Sequence, residues 1–95
     1  MKVELTAPAR TDLRDIAVYI ARDNPSRARS FTAELRDKAL ATGDTPFGFS
    51  VIRKYGPYDL RRRPYGDYAI FYVVRANKVQ VIRILHSARD IDTPL

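Results

Sequence analysis

The chain has 95 residues, 45 % of them apolar and 11 % aromatic, enough for one small core and too apolar for a disordered chain. With no cysteine and a single histidine, disulfides and thiolate chemistry are excluded and little remains to hold a transition metal, so neither a metal nor a cofactor is expected. The net charge is +6, with eight basic against six acidic residues before Gly43 and nine against five after it, which points to acidic partners, either a nucleic acid or an acidic protein face.

Val3 and Leu5 alternate with Lys2, Glu4 and Thr6, which predicts a short half-buried strand. Thr6 is a candidate N-cap, and Pro8 fits the first turn of the helix that follows. Leu13, Ile16, Ala17 and Ile20 mark the apolar stripe of that helix, which runs to about Arg22, with Asp12 and Asp15 in its early turns, where the helix dipole favours them. Asn24-Pro25 breaks it and caps a second helix, striped by Ala28, Phe31, Leu35 and Ala39 and ended by Gly43. So short a connection makes the two helices an antiparallel hairpin.

Residues 44–57 hold Pro46, Gly48, Gly56 and Pro57 and are expected to form a loop, with Phe47, Phe49, Val51 and Ile52 tucked against the sheet. Three strands are expected after it, at residues 58–64, 67–75 and 78–86, joined by turns at Tyr65-Gly66 and Ala76-Asn77. The longest apolar run, residues 69–74, is far shorter than the roughly 20 residues that span a bilayer, and the N-terminus lacks a signal-peptide core. A cytoplasmic protein with no membrane contact is the expectation. The fold class is α+β: one domain over residues 1–95 in the order β-αα-βββ, its helical hairpin packed on one face of a small, mainly antiparallel sheet. The other face should stay partly open, leaving Val81, Leu85, Ile70 and Tyr72, or the alternate set, near solvent as a docking surface.

The closing strand is the most informative stretch. Strict alternation puts Arg83 on a face with Val81 and Leu85, and His86 on the opposite face with Ile82 and Ile84. A guanidinium between aliphatic side chains needs a partner or an open groove. Arg83 therefore either pairs structurally with Asp67 or Asp59, or contacts a bound macromolecule. Arg83 and His86 line one site only if the strand ends or bulges before His86.

Val81-Ile82-Arg83-Ile84-Leu85-His86 resembles the last strand of the RelE/ParE superfamily of type II toxins. Ala9-x-x-Asp12-Leu13-x-x-Ile16-x-x-Tyr19 is similar to that superfamily's first helix, and Asn24-Pro25-Ser26-Arg27-Ala28 resembles its link into the second. Leu60-Arg61-Arg62-Arg63 followed by residues 67–74 is similar to its L-R-R … Y-x-I-x-Y-x-V core, and the Arg89-Asp90 tail resembles the ParE branch. The resemblance covers essentially the whole chain.

It implies the toxin of a toxin–antitoxin pair serving plasmid or chromosome maintenance through growth inhibition. In the ParE branch such a toxin inhibits DNA gyrase without acting as an enzyme. It is silenced by a ParD-like antitoxin, which here should be acidic and partly disordered when free, with operator DNA met only through that antitoxin. The residues expected to bind target or antitoxin are Arg61, Arg63, Tyr72, Arg83, Leu85, His86 and Arg89. Two alternatives are a RelE-like, ribosome-dependent mRNA endonuclease and a non-toxic remnant that only binds antitoxin. A metal-free nuclease would use Arg61 and Arg83 for charge stabilisation and His86 as acid or base. Against it, the tail after His86 has no tyrosine, histidine or lysine and carries two aspartates. Arg61-Arg62-Arg63 also reads as a solvated edge, and Tyr58, Tyr65, Tyr68 and Tyr72 read as packing residues rather than stacking platforms.

Overall fold

In the computed structural model, which describes residues 1–89, the order is β1 (Lys2–Leu5), α1 (Ala7–Ala21), α2 (Pro25–Ala41), β2 (Val51–Tyr55), β3 (Tyr58–Tyr65), β4 (Tyr68–Arg75) and β5 (Lys78–His86), followed by a 3₁₀ turn, Ser87–Arg89. The five strands are arranged β1-β5-β4-β3-β2. β1 runs parallel to β5, and every other pairing is antiparallel. The expected α+β class and helical hairpin are present, with one strand more than the β-αα-βββ reading.

The added strand is β2, inside the stretch expected to be loop. Gly56 and Pro57 make a two-residue hairpin turn between Tyr55 and Tyr58 rather than ending regular structure. Gly56 has φ +60°, which glycine adopts without penalty, so Gly-Pro here reverses the chain. Pro64 is tolerated within β3 because β2 reaches only as far as Arg61 in register, so its missing N–H falls on an unpaired edge.

Both helices begin where the chain offers caps. The Thr6 hydroxyl accepts the Ala9 N–H at 3.2 Å and itself donates to the Ile82 carbonyl at 3.0 Å. The Asn24 side chain accepts the Arg27 N–H at 3.0 Å. Thr6 thus ends β1, starts α1 and ties both to β5.

Leu13 and Ile16 from α1 and Leu35 and Ala39 from α2 are buried against Ile70, Tyr72, Val79, Val81 and Ile84 of the sheet. Leu60, Ala69, Phe71, Val73, Ile82 and Leu85 form a second apolar cluster, with Ile52, Tyr55 and Tyr58 packed against it. The expectation of an open apolar face is therefore corrected. Ile70, Tyr72, Val81 and Leu85 are all buried, and so is the alternate set. The β2–β3 hairpin supplies three of the side chains packed on that cluster, which is why it is not bare. Large exposed apolar groups lie elsewhere, at Val18 and Tyr19 on α1, Leu40 on α2, and Phe47 and Val51 around the loop into β2. Of the four loop hydrophobics expected to tuck in, Ile52 and Phe49 do so in part, while Phe47 stays 64 % exposed. No helix among the described residues is long and apolar enough to cross a membrane.

Candidate functional site

The site is organised by a break in β5. Phe71 of β4 faces Arg83, whereas its neighbour Tyr72 faces Val81, so β5 carries an extra residue at this point. A bulge of this kind interrupts side-chain alternation. Val81 and Ile84 consequently both face the helices, while Ile82 and Leu85 both enter the second cluster. Strict alternation is therefore corrected for Val81 and Ile82, which exchange faces, while Arg83 remains with Leu85 and His86 with Ile84.

β1 stops opposite Val81, so the last residues of β5 lack a strand neighbour on that side. The first half of α1 occupies that place. The buried Asp12 carboxylate accepts the Ile84 backbone N–H at 2.9 Å, as a neighbouring strand's carbonyl otherwise would. It also accepts the Arg83 Nε at 2.7 Å and an Arg83 Nη at 2.9 Å, a bidentate pair. The hydrogen bonds to Asp12 raise the Arg83 guanidinium above its ordinary value, so it stays charged. Its partner is thus Asp12, and the expected pairing with Asp67 or Asp59 is corrected. The signal was present in the sequence, because position 12 falls on the same buried stripe as Ala9 and Ile16. A carboxylate on such a stripe calls for a partner.

Beside this pair lies a recess of about 560 Å³, bounded by Asp15, Ile16 and Tyr19 of α1 and by Tyr68, Arg83 and His86 of the sheet. A second recess, of about 380 Å³, continues past Tyr19, Tyr68 and His86 to Phe31, Arg27 and Asp67. Together they form one groove along the free end of β5, rimmed by the exposed Tyr19, whose chain neighbour Val18 is exposed as well. The His86 ring stands edge-on to Tyr68 at 5.2 Å, and its Nδ1 accepts the Ala88 N–H at 3.1 Å. Burial, with Tyr19 and Asp67 close by, pushes the Tyr68 phenol up.

Arg83 and His86 line one groove although the bulge precedes both and leaves them on opposite faces of β5, because Arg83 reaches across the strand's free edge to Asp12. Arg61 is not with them. Its guanidinium donates to the Phe49 and Phe47 carbonyls at 2.7 and 3.3 Å and lies over the Phe47 ring, lining a different recess with Lys54 and Tyr58. Arg63 lies over Phe49 at 4.9 Å on the same flank. Tyr72 is fully buried, and its hydroxyl donates to the Pro46 carbonyl at 2.9 Å, fastening the loop before β2 to the sheet. Leu85 is buried too, so these two of the expected binding residues present no open surface. Arg89 ends the 3₁₀ turn, and its side chain, like residues 90–95 of the tail, lies outside the described residues. Sequence reasoning passed over Asp12, Asp15, Tyr19 and Tyr68 as parts of this site.

Comparison with known proteins agrees with this architecture. The family model of the ParE toxin of the type II toxin–antitoxin system parDE matches residues 3–91. A solved structure described as the chromosomal ParDE TA system from P. aeruginosa superposes with a TM-score of 0.73 at 16 % identity, covering 90 % of this chain and 95 % of that one. No curated protein matches the chain.

Proposed function

Since the chain belongs to the ParE toxin family of type II toxin–antitoxin systems, we propose that it is a cytoplasmic toxin that arrests growth by binding DNA gyrase and is silenced by a ParD-like antitoxin. The observation that carries a binding role over a catalytic one is the closed Asp12–Arg83 pair. Arg83 spends its Nε and one Nη on a carboxylate that is itself buried, which leaves it poorly disposed to stabilise a developing phosphorane. Arg61, the other cation an endonuclease would need, is bound to loop carbonyls at another recess, and the Nδ1 of His86 is occupied by the Ala88 N–H. These three residues make a weak nuclease and a good structural frame.

The antitoxin's inhibitory segment lies along the groove between α1 and the end of β5 in this reading, covering Val18 and Tyr19 and reaching Tyr68 and His86. Exposed apolar side chains beside a preformed recess suit such a segment. The net charge of +6 favours an acidic partner by speeding and orienting encounter. An antitoxin that is disordered alone would fold on this surface. Arg63 is proposed to face the target.

Inducing the chain alone in cells, with DNA breaks and mRNA integrity read together, tests the function. Double-strand breaks with intact mRNA support it. Codon-specific mRNA cleavage before any break would favour the RelE-like endonuclease, and unimpaired growth would mark an antitoxin-binding remnant. Tyr19→Ala should weaken capture of the antitoxin encoded beside the toxin by roughly tenfold or more, as a truncated aromatic anchor does.

A further inference from the structure

Leading away from the Arg27–Phe31 end of the groove, β3 and α2 bring cations and aromatic rings together in register. Arg61, Arg63 and Tyr65 are alternate residues of β3, so they share a face with successive side chains roughly 7 Å apart. Each meets a ring or a cation from elsewhere. Arg61 lies over Phe47 at 5.3 Å and Arg63 over Phe49 at 4.9 Å. Lys38 of α2 sits 5.9 Å from the Tyr65 ring, and Tyr65 in turn is 5.9 Å from Phe31. Arg27 closes the row, 5.0 Å over Phe31. Two carboxylates accompany the four cations: Glu34, which is bound to Arg27 at 2.7 Å and accepts the Tyr65 hydroxyl at 2.7 Å, and Asp59, which shares a recess with Arg61 and Phe47 and is bound to Lys54 at 2.6 Å.

We infer that this seam between α2 and β3 binds single-stranded nucleic acid, without cutting it, through phosphate contacts to Lys38 and Arg63 and base stacking at Phe47. Single-strand sites combine a cationic track with rings on which bases lie, and arginine adds its own planar face. An acidic peptide would use the charges but has no need of the rings. Phe47 is 64 % exposed, in a loop held by two Arg61 hydrogen bonds and by the Tyr72 hydroxyl on Pro46, so its ring is presented on a fixed support. A duplex hides its base faces and leaves such rings nothing to stack on but its ends. The row therefore prefers an unpaired strand, such as one exposed while DNA is being opened or an RNA. This inference is independent of which protein the toxin poisons.

The test uses the purified full-length chain and fluorescently labelled 15-mers of deoxythymidine, of uridine and of abasic deoxyribose phosphate, with a 15-base-pair duplex as the fourth probe. Anisotropy titrations at several salt concentrations should show the two base-bearing strands binding at least about fivefold more tightly than the abasic strand, the difference that stacking of one base provides. Phe47→Ala should erase that difference, and Phe47→Tyr should keep it. Arg63→Gln and Lys38→Gln should each make the slope of log K against log salt shallower by about 0.7, one phosphate contact fewer. Whichever of the deoxythymidine and uridine strands binds more tightly identifies the natural source as DNA or RNA. Equal binding of abasic, duplex and base-bearing probes would reduce the seam to bulk charge and overturn the inference. Slopes unchanged in both charge variants would overturn it as well, and so would no binding at low salt.

Discussion

Asp12 and Arg83, 71 positions apart in sequence, meet in a bidentate contact of 2.7 and 2.9 Å, with the same carboxylate also accepting the Ile84 N–H. One α1 side chain thereby completes the edge of β5 that β1 is too short to cover. It also draws Arg83 across the free edge of β5 into the groove that His86 lines.

Removing one partner of this pair leaves the other stranded. Asp12→Ala should cost about 3 kcal/mol, because it orphans both the guanidinium and the Ile84 N–H. Arg83→Met should cost less, about 1–2 kcal/mol, since the carboxylate keeps its backbone donor. The double variant should cost less than the two losses added together. Urea unfolding midpoints of the four proteins measure this, and strict additivity would show that the pair has no coupling.

Gly43 stands where the chain start meets the end of α2. The Met1 ammonium donates to its carbonyl at 3.0 Å, and an added Cβ would run into the Met1 carbonyl and the Val3 side chain. Gly43→Ala should therefore force β1 away from α2 and cost about 1–3 kcal/mol, the range of overpacking in a close contact. Thermal melting reads the loss. An unchanged midpoint would mean that the N-terminal strand shifts freely.

Three tyrosines set an alkaline limit. Burial raises the Tyr68 and Tyr72 phenols above the ordinary 10.0, and the hydrogen bond to Glu34 raises Tyr65. The folded chain holds these protons more tightly than the unfolded one, so their contribution is complete below about pH 10 and declines as pH rises through the folded values. Stability should be level from pH 8 to 9.5 and fall above 10, with part of the tyrosinate absorbance at 295 nm appearing only as the chain unfolds. A single titration step at pH 10 with no loss of stability would contradict this.

Legibility followed the range of the interaction. The caps Thr6 and Asn24-Pro25, the stripes of both helices and the Ala76-Asn77 turn could be placed from neighbours within four residues, and they are where they were expected. Both residues of that turn have positive φ, 51° and 59°, the geometry of a two-residue hairpin. β2 was missed because Gly56-Pro57 terminates structure or reverses it with equal local economy, and only the pairing of Tyr55 with Tyr58 decides between them. The seam of Arg61, Arg63 and the phenylalanines went unseen because Phe47 and Phe49 are twelve or fourteen residues away from the arginines they meet.

The residue string alone carried the positive charge and the motifs that resemble the family, and it placed the helical hairpin and the three-strand meander because periodicity and local caps act within one or two turns of chain. Tertiary structure decided which side chains share a surface. Where β1 stops, where β5 takes an extra residue, and that Asp12 fills the gap are consequences of strands of unequal length closing on one sheet. That closure is a balance over the whole sheet, and no short stretch of sequence carries it.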